Sequence, residues 1–374
     1  MKAPNNPFVL TGYVSPEYFC NRQKELSWLE SNYLNERNAL LYSWRRMGKT
    51  ALIRHFFRIL EKDHGVETLY IDLMGAQSMP EAIKAITQAI HQRYGHSTSG
   101  ISGNIGKLLS RLGMTVTFDP YSGFPKFSFG LTHLPPPEQS LDAIGEFLSK
   151  RKKSLVIAMD EFQQIGYFDD PAAEPVFRAW MQGFPGLRFV YSGSQRNMMR
   201  AMFTEQNRPF YKSVQILELN SIPEKEYFPF IRGHFTAAGK PIEEELLNEI
   251  YAWSRGQTYA IQLVCNKLFG LADNPRKESL QQVFSEIIEQ EKPVFANYAR
   301  LLTRNQWEVL KAIALSEPAT NPQSKEFLQN HRLGAASSVA TALKTLIKKE
   351  LVIEENDSYL LHDVLLANWL RQNP

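Results

Sequence analysis

The segment from residue 39 to residue 61 restricts the possible folds of this chain more than any other. Ala39-Leu40-Leu41-Tyr42 is a short apolar run of the kind that forms a strand buried on both faces. Ser43-Trp44-Arg45-Arg46-Met47-Gly48-Lys49-Thr50 follows at once. Beyond it, Leu52, Ile53, Phe56, Phe57 and Leu60 fall at helical spacing over a helix read from Thr50 to Glu61. Strand, turn and helix in that order leave unpaired backbone N–H groups and the positive end of a helix dipole at the turn, an arrangement suited to anionic oxygens.

The turn nearly meets the pattern GxxxxGK[ST], with Ser43 in the first glycine position. In that pattern Gly48 lets the backbone approach a phosphate, Lys49 reaches the β- and γ-phosphates of ATP, and Thr50 offers its hydroxyl to Mg2+. Ser43, Trp44, Arg45, Arg46, Met47 and Ala51 complete the expected phosphate cradle. A Gly-Lys-Thr triplet alone also arises by chance at helix starts.

A second feature narrows the reading. Ser154 to Met159 is an apolar run that ends in Asp160-Glu161, placing two carboxylates where a buried strand emerges. Asp160 is the expected metal contact, through water, and Glu161 the group that orients or deprotonates an attacking water. An acidic pair after a strand is ordinarily a solvated turn; its position after the Lys49 turn points instead to nucleotide hydrolysis. With the strand Thr68 to Asp72 between them in the sequence, the two motifs fit the ATPase class whose lysine strand and acidic strand are separated by another strand.

The strand Leu187 to Tyr191 ends at Ser192-Gly193-Ser194 and is expected beside the two nucleotide-binding strands, with Ser194, or Ser192 behind it, sensing the γ-phosphate. A plain strand-to-helix cap is the alternative for that serine. Arg208 precedes the last strand, Val214 to Leu219, where it either reaches a neighbouring subunit's nucleotide as a finger or simply meets solvent. Arg45 and Arg46 are phosphate-side cations or interface contacts, and Arg255 is a further candidate for the nucleotide. The eight histidines have no metal-ligand spacing.

At 374 residues the chain exceeds one ordinary core, and its patterning divides it into three. Residues 1–222 read as an α/β ATPase core with a parallel sheet, carrying a hairpin insertion at about 114–131. Residues 223–298 read as a helical lid, with helices over Lys225 to Phe235, Ile242 to Trp253, Tyr259 to Leu271 and Ser279 to Gln290. Residues 299–374 read as three helices and a hairpin turning at Asn356-Asp357, the layout of a winged helix.

A formal charge of +3 is too balanced to announce a nucleic-acid coat. Cys20 and Cys265 have neither disulfide nor zinc spacing. No apolar run reaches the length of about 18 residues that a membrane span needs, and the N-terminal residues lack the apolar stretch of a secretion signal. The expectation is a cytoplasmic protein with no membrane partner.

Several stretches together resemble the archaeal-type ATPase family, related to the STAND and AAA+ NTPases. They are Phe19 with Asn21-Arg22-Gln23-Lys24-Glu25-Leu26, Arg45-Arg46-Met47-Gly48-Lys49-Thr50, Asp160-Glu161-Phe162-Gln163, Gly193-Ser194-Gln195, Arg208-Pro209-Phe210-Tyr211 and Gly256-Gln257-Thr258-Tyr259. The resemblance covers almost the whole chain. It implies a P-loop NTPase core of parallel strands, a helical lid, a C-terminal winged-helix domain and ATP-driven switching. Lys49, Thr50, Asp160 and Glu161 match the family's nucleotide motifs position by position. Ser43 stands where the family usually has glycine, and Thr258 where many relatives have proline.

Three functions remain open on the sequence. One is a DNA-associated ATPase whose winged helix docks through Lys344, Lys348 and Lys349, opposed by the acidic Glu354, Glu355 and Asp357 of the wing. Another is an assembly switch whose winged helix meets protein, acting as a homo-oligomer with nucleotide at subunit interfaces. The third is a nucleotide-binding scaffold without hydrolysis, suggested by Ser43.

Overall fold

The computed structural model describes residues 4–95, 101–119, 121, 125–129, 135–355 and 357–373, with the backbone alone for 101–103. The chain forms two compact units, Arg22–Asn220 and Met1–Asn21 with Ser221–Pro374.

The first unit runs α1 (Gln23–Leu34), β1 (Ala39–Tyr42), α2 (Lys49–Asp63), β2 (Glu67–Asp72), α3 (Met79–Tyr94), α4 (Ile101–Arg111), β3 (Met114–Phe118), β4 (Pro125–Phe129), α5 (Pro137–Ser149), β5 (Leu155–Asp160), α6 (Ala173–Gly183), β6 (Leu187–Gly193), α7 (Arg196–Thr204) and β7 (Gln215–Glu218). Five strands pair in the order β2-β5-β6-β1-β7, all parallel. Every residue of β1 and of β5 is buried, as their unbroken apolar runs require of strands covered on both faces.

The phosphate-loop strand β1 and the acidic strand β5 are therefore not neighbours. β6 lies between them, pairing Tyr42 with Gly193 on one side and Met159 with Tyr191 on the other. Because the pairings are parallel, β1, β5 and β6 all end at the same edge of the sheet. β2 sits beyond β5, at the outer edge of the sheet, with Asp72 in register with Asp160.

Beneath that edge is an aromatic cluster. Phe162, immediately after the acidic pair, packs 4.4 Å from Tyr191 and 5.2 Å from Phe210, measured between ring centroids. The cluster is buried with Phe203. It fixes the chain leaving β5 against both β6 and the Arg208-Pro209-Phe210 turn.

Helix α4 is absent from the sequence reading. Its apolar positions Ile105 and Leu108 are buried, but Gly103 and Gly106 dilute the helical signal. β3 and β4 pair antiparallel as the expected hairpin, Met114 opposite Phe129. Pro120, residues 122–124 of its turn, and residues 130–131 lie outside the described residues.

The second unit runs α8 (Glu224–Ala237), α9 (Glu244–Ser254), α10 (Thr258–Gly270), α11 (Lys277–Leu301), α12 (Arg304–Leu315), β8 (Ala319–Thr320), α13 (Lys325–Asn330), α14 (Ala336–Lys348), β9 (Val352–Glu355), β10 (Ser358–Leu361) and α15 (Val364–Gln372). The helix read over Ser279 to Gln290 continues to Leu301 with Pro293 inside it. β8, β10 and β9 form a small antiparallel sheet, and Asn356 of the wing turn lies outside the described residues. Residues near the N terminus join this unit: fully buried Phe8 packs 5.2 Å from Phe235, and Asn6 and Asn266 exchange hydrogen bonds with each other's segments at 2.8 and 2.7 Å. Among the described residues, no helix is long and apolar enough to cross a membrane.

Candidate nucleotide site

The loop after β1 turns on two residues with positive φ, Arg46 at 67° and Gly48 at 91°. Gly48 adopts this conformation at little cost and serves as the N-cap of α2 without a side-chain acceptor, so the first N–H groups of α2 face outward from the loop. Lys49 is 6% exposed and folds back over the loop, its Nζ donating to the Ser43 carbonyl at 3.3 Å, to Ser43 Oγ at 3.2 Å and to the Trp44 carbonyl at 3.3 Å. Arg45 and Arg46 are exposed, Met47 is buried, and Ala51 is half-buried in the first turn of α2.

Thr50 and Asp160 meet. The Thr50 hydroxyl donates to Asp160 Oδ2 at 3.0 Å, although 110 residues separate them in sequence. Asp160 is buried, and three further groups converge on it: Ser192 Oγ donates to Oδ1 at 2.5 Å, the Glu161 N–H donates to Oδ1 at 3.1 Å, and the Tyr70 hydroxyl donates to Oδ2. Burial and the Asp160 charge push the Tyr70 phenol well above its ordinary pKa, so it remains a donor. Burial, with the charges of Asp160 and Glu161 and against the Met74 N–H, raises the Asp72 carboxyl above its ordinary value. A hydroxyl and a carboxylate oxygen side by side, with further carboxylates nearby, are hard oxygen donors of the type Mg2+ takes.

Glu161 has φ 52°, a strained conformation for a non-glycine residue, which turns its side chain away from the line of β5. Its Oε2 accepts from Ser194 Oγ at 2.7 Å, from the Ser194 N–H at 3.4 Å and from Gln163 Nε2. Gln163 is fully buried, and its Oε1 has no hydrogen-bond partner. It reaches Glu161 by crossing over Gly193, where a Cβ would lie 2.2 Å from Gln163 Oε1. The glycine between the two serines is thus what admits Gln163.

Ser192 and Ser194 divide the labour. The sequence reading chose Ser194 as the γ-phosphate sensor, with Ser192 behind it; in the structure Ser192 donates to Asp160 and Ser194 to Glu161.

Arg208 lies beyond the end of α7, with its guanidinium 2.9 Å from the Glu174 carboxylate, and is 26% exposed. Burial raises the Glu174 carboxyl above its ordinary value despite that neighbouring cation. Arg255, the further candidate for the nucleotide, is held within the second unit. It pairs with the buried Glu317 at 2.8 Å and donates to the Leu361 carbonyl at 2.6 Å, joining the end of α9 to the winged helix, with Arg371 on the same carboxylate.

Three further residues escaped the sequence reading. Tyr70 carries no motif, being one residue of an apolar strand. Arg22 is buried and holds the phosphate loop from behind, donating to the Met47 carbonyl at 3.3 Å and to the Asn220 carbonyl at 2.6 Å. Gln163 had a signal, since it stands in the Asp160-Glu161-Phe162-Gln163 stretch on which the resemblance rested. Beside the loop, Arg196 stacks 4.5 Å over the Trp44 ring and pairs with Glu218.

The family described as an ATPase domain predominantly from Archaea matches residues 19–264. The chain belongs to that ATPase family. It is accordingly an ATP-binding ATPase, and a probable winged helix domain matches residues 293–372 of the same archaeal-type ATPase. Among solved structures, this ATPase is similar to a Walker-type ATPase of Pyrococcus abyssi, at 16% identity over 98% of this chain and 99% of that one, with a TM-score of 0.68. It is also similar to the ORC2 protein of Aeropyrum pernix in its ADPNP–ADP complexes, at 15% identity over 98% and 95%, TM-score 0.63. The A. pernix ORC1 protein in complex with DNA aligns at 15% identity over 99% and 97%, TM-score 0.53. At these identities the likeness is one of fold. A comparison with curated proteins gives no match.

Proposed function

We propose that this ATPase is a magnesium-dependent, nucleotide-controlled switch of the AAA+/STAND type, hydrolysing ATP at the edge where β1, β6 and β5 end. The observation that carries the reading is the 3.0 Å contact between Thr50 Oγ and Asp160 Oδ2, which brings the phosphate loop and the acidic strand to one point. Thr50 and, through water, Asp160 would hold Mg2+, which would supply positive charge to the phosphate oxygens. On binding ATP, Lys49 exchanges the Ser43 and Trp44 oxygens for the β- and γ-phosphates, and the N–H groups of residues 47–51 surround the phosphate tail. Glu161 accepts the proton of the attacking water. Ser194 and Gln163 hold that carboxylate until the γ-phosphate arrives, and their donation to Glu161 Oε2 leaves Oε1 for the water.

The winged helix in this reading meets protein rather than DNA. From Arg304 to the C terminus the chain carries eight acidic and eight basic residues, and the wing itself bears Glu354, Glu355 and Asp357. The Arg208 position suits a cation offered to a neighbouring copy's nucleotide, after exchange of its Glu174 partner. Two buried free cysteines accord with a reducing, cytoplasmic setting.

The test compares phosphate release by the parent, Glu161→Gln and Lys49→Ala, each with Mg2+ and with a chelator. The reading requires a magnesium-dependent rate in the parent alone. Equal background release by all three proteins would reject it.

A further inference from the structure

The described residues of the first unit carry a second charged feature, remote from the phosphate loop. A cleft of about 250 Å³ between α4 and α5 is lined by Asn104, Lys107, Leu108, Arg111, Ala143, Glu146, Phe147, Lys150 and Arg151. Four of these residues are cations and one is an anion. Arg111 pairs with Glu146 at 2.8 Å, and Arg151 lies in a forked pair with Glu67, at 2.9 and 3.0 Å. Lys107 and Lys150 are exposed, and the Lys150 charge is felt at Glu146. The positive surface continues past the cleft through exposed Lys152 and Lys153.

The position separates this feature from the nucleotide site. Residues 150–153 lead directly into Leu155, the first residue of β5, whereas the phosphate loop faces the other end of that strand. Six residues of strand put about 20 Å between them. Nothing in ATP binding calls for these cations.

We propose that this cleft is a docking surface for the phosphodiester backbone of duplex nucleic acid, and that the ATPase core, not the charge-balanced winged helix, supplies the phosphate contacts. Lys107 and Arg111 stand one helical turn apart, about 6 Å. Phosphates advance about 3.4 Å along the duplex axis, and successive groups on one strand lie farther apart than that rise, so such a pair matches neighbouring phosphates once Arg111 exchanges its Glu146 partner. Lysines without carboxylate forks are point charges suited to phosphate oxygens, and the Asn104 amide adds a neutral donor. The run beyond the cavity, Lys152 and Lys153, extends the surface farther than a compact anion requires.

The test uses the full chain and a labelled DNA duplex, with affinity measured across a salt series. The parent should bind in a salt-sensitive way. Lys107→Gln combined with Lys150→Gln should weaken binding at least about tenfold at low salt and reduce the slope of log K against log salt by about 2. Lys344→Gln combined with Lys348→Gln, in the winged helix, should leave both unchanged. ATP turnover without DNA should stay at the parent level in all of these proteins, which keeps failure of this proposal distinct from failure of the hydrolysis reading. Several results would overturn it: no DNA binding by the parent, loss confined to the winged-helix variant, or competition by poly-glutamate as effective as that by DNA. Stabilisation of the parent by pyrophosphate without DNA binding would show instead a site for a small anion, and would equally defeat it.

Discussion

Ser194 Oγ donates to Glu161 Oε2 at 2.7 Å, joining the end of the central strand to the carboxylate assigned to water activation. Ser194→Ala and Gln163→Leu each remove one of the donors that aim this carboxylate. Both variants should lower kcat by up to about a hundredfold, with KM for ATP little changed, because the phosphate loop is untouched. A rise in KM at constant kcat would show that Ser194 acts in binding instead.

Tyr70 donates to Asp160, the carboxylate proposed to hold Mg2+. Tyr70→Phe should therefore raise the Mg2+ concentration needed for half-maximal activity by roughly ten- to a hundredfold, while turnover at saturating Mg2+ is retained. A magnesium titration of parent and variant checks this, and superimposable curves would remove Tyr70 from the site.

Arg208 and Glu161 can be tested together. If Arg208 acts on a neighbouring copy, Arg208→Ala alone should lose about 10³-fold in turnover. Mixing it with inactive Glu161→Gln should then restore part of the rate, since an Arg208→Ala copy keeps an intact Glu161 and receives Arg208 from its neighbour. A mixture no faster than its components would confine Arg208 to its Glu174 pair.

Glu67 gives a prediction in pH. Burial works to raise its carboxyl, but hydrogen bonds from Arg151 and Tyr94 and the charges of Arg151 and Arg93 prevail and hold it below its ordinary value of 4.5. A carboxylate depressed in the folded state stabilises that state above its unfolded pKa, and the contribution is lost as pH falls through the folded value. Glu67→Gln should accordingly cost about 1–3 kcal/mol at neutral pH, a gap that closes in acid. Urea midpoints of the two proteins across that range measure it, and a gap independent of pH would assign the loss to packing.

The sequence made legible whatever follows from local pattern. Five apolar runs became the five strands of the parallel sheet, and the Lys49 turn and the Asp160-Glu161 pair singled out in the sequence come together at one edge of it. The strand next to each was less accessible, because parallel pairing joins segments far apart in the chain. That Leu187–Gly193 lies between the two motif strands could be inferred only from the class of ATPase they resemble. Side-chain partners were least legible. Nothing in the pattern around Tyr70 distinguishes it from a core aromatic, and the Glu317 carboxylate that takes Arg255 lies 62 residues farther along the chain. Helix α4 escaped because its glycines weaken a periodicity that Ile101, Ile105 and Leu108 nonetheless carry.

Ser192 on β6 and Ser194 just past its end stand two positions apart, one on the Asp160 carboxylate and the other on the Glu161 carboxylate. A single rigid backbone thus gears two chemical tasks to each other. Displacing it along its own axis by one residue would draw both serine hydroxyls from their carboxylates in the same motion.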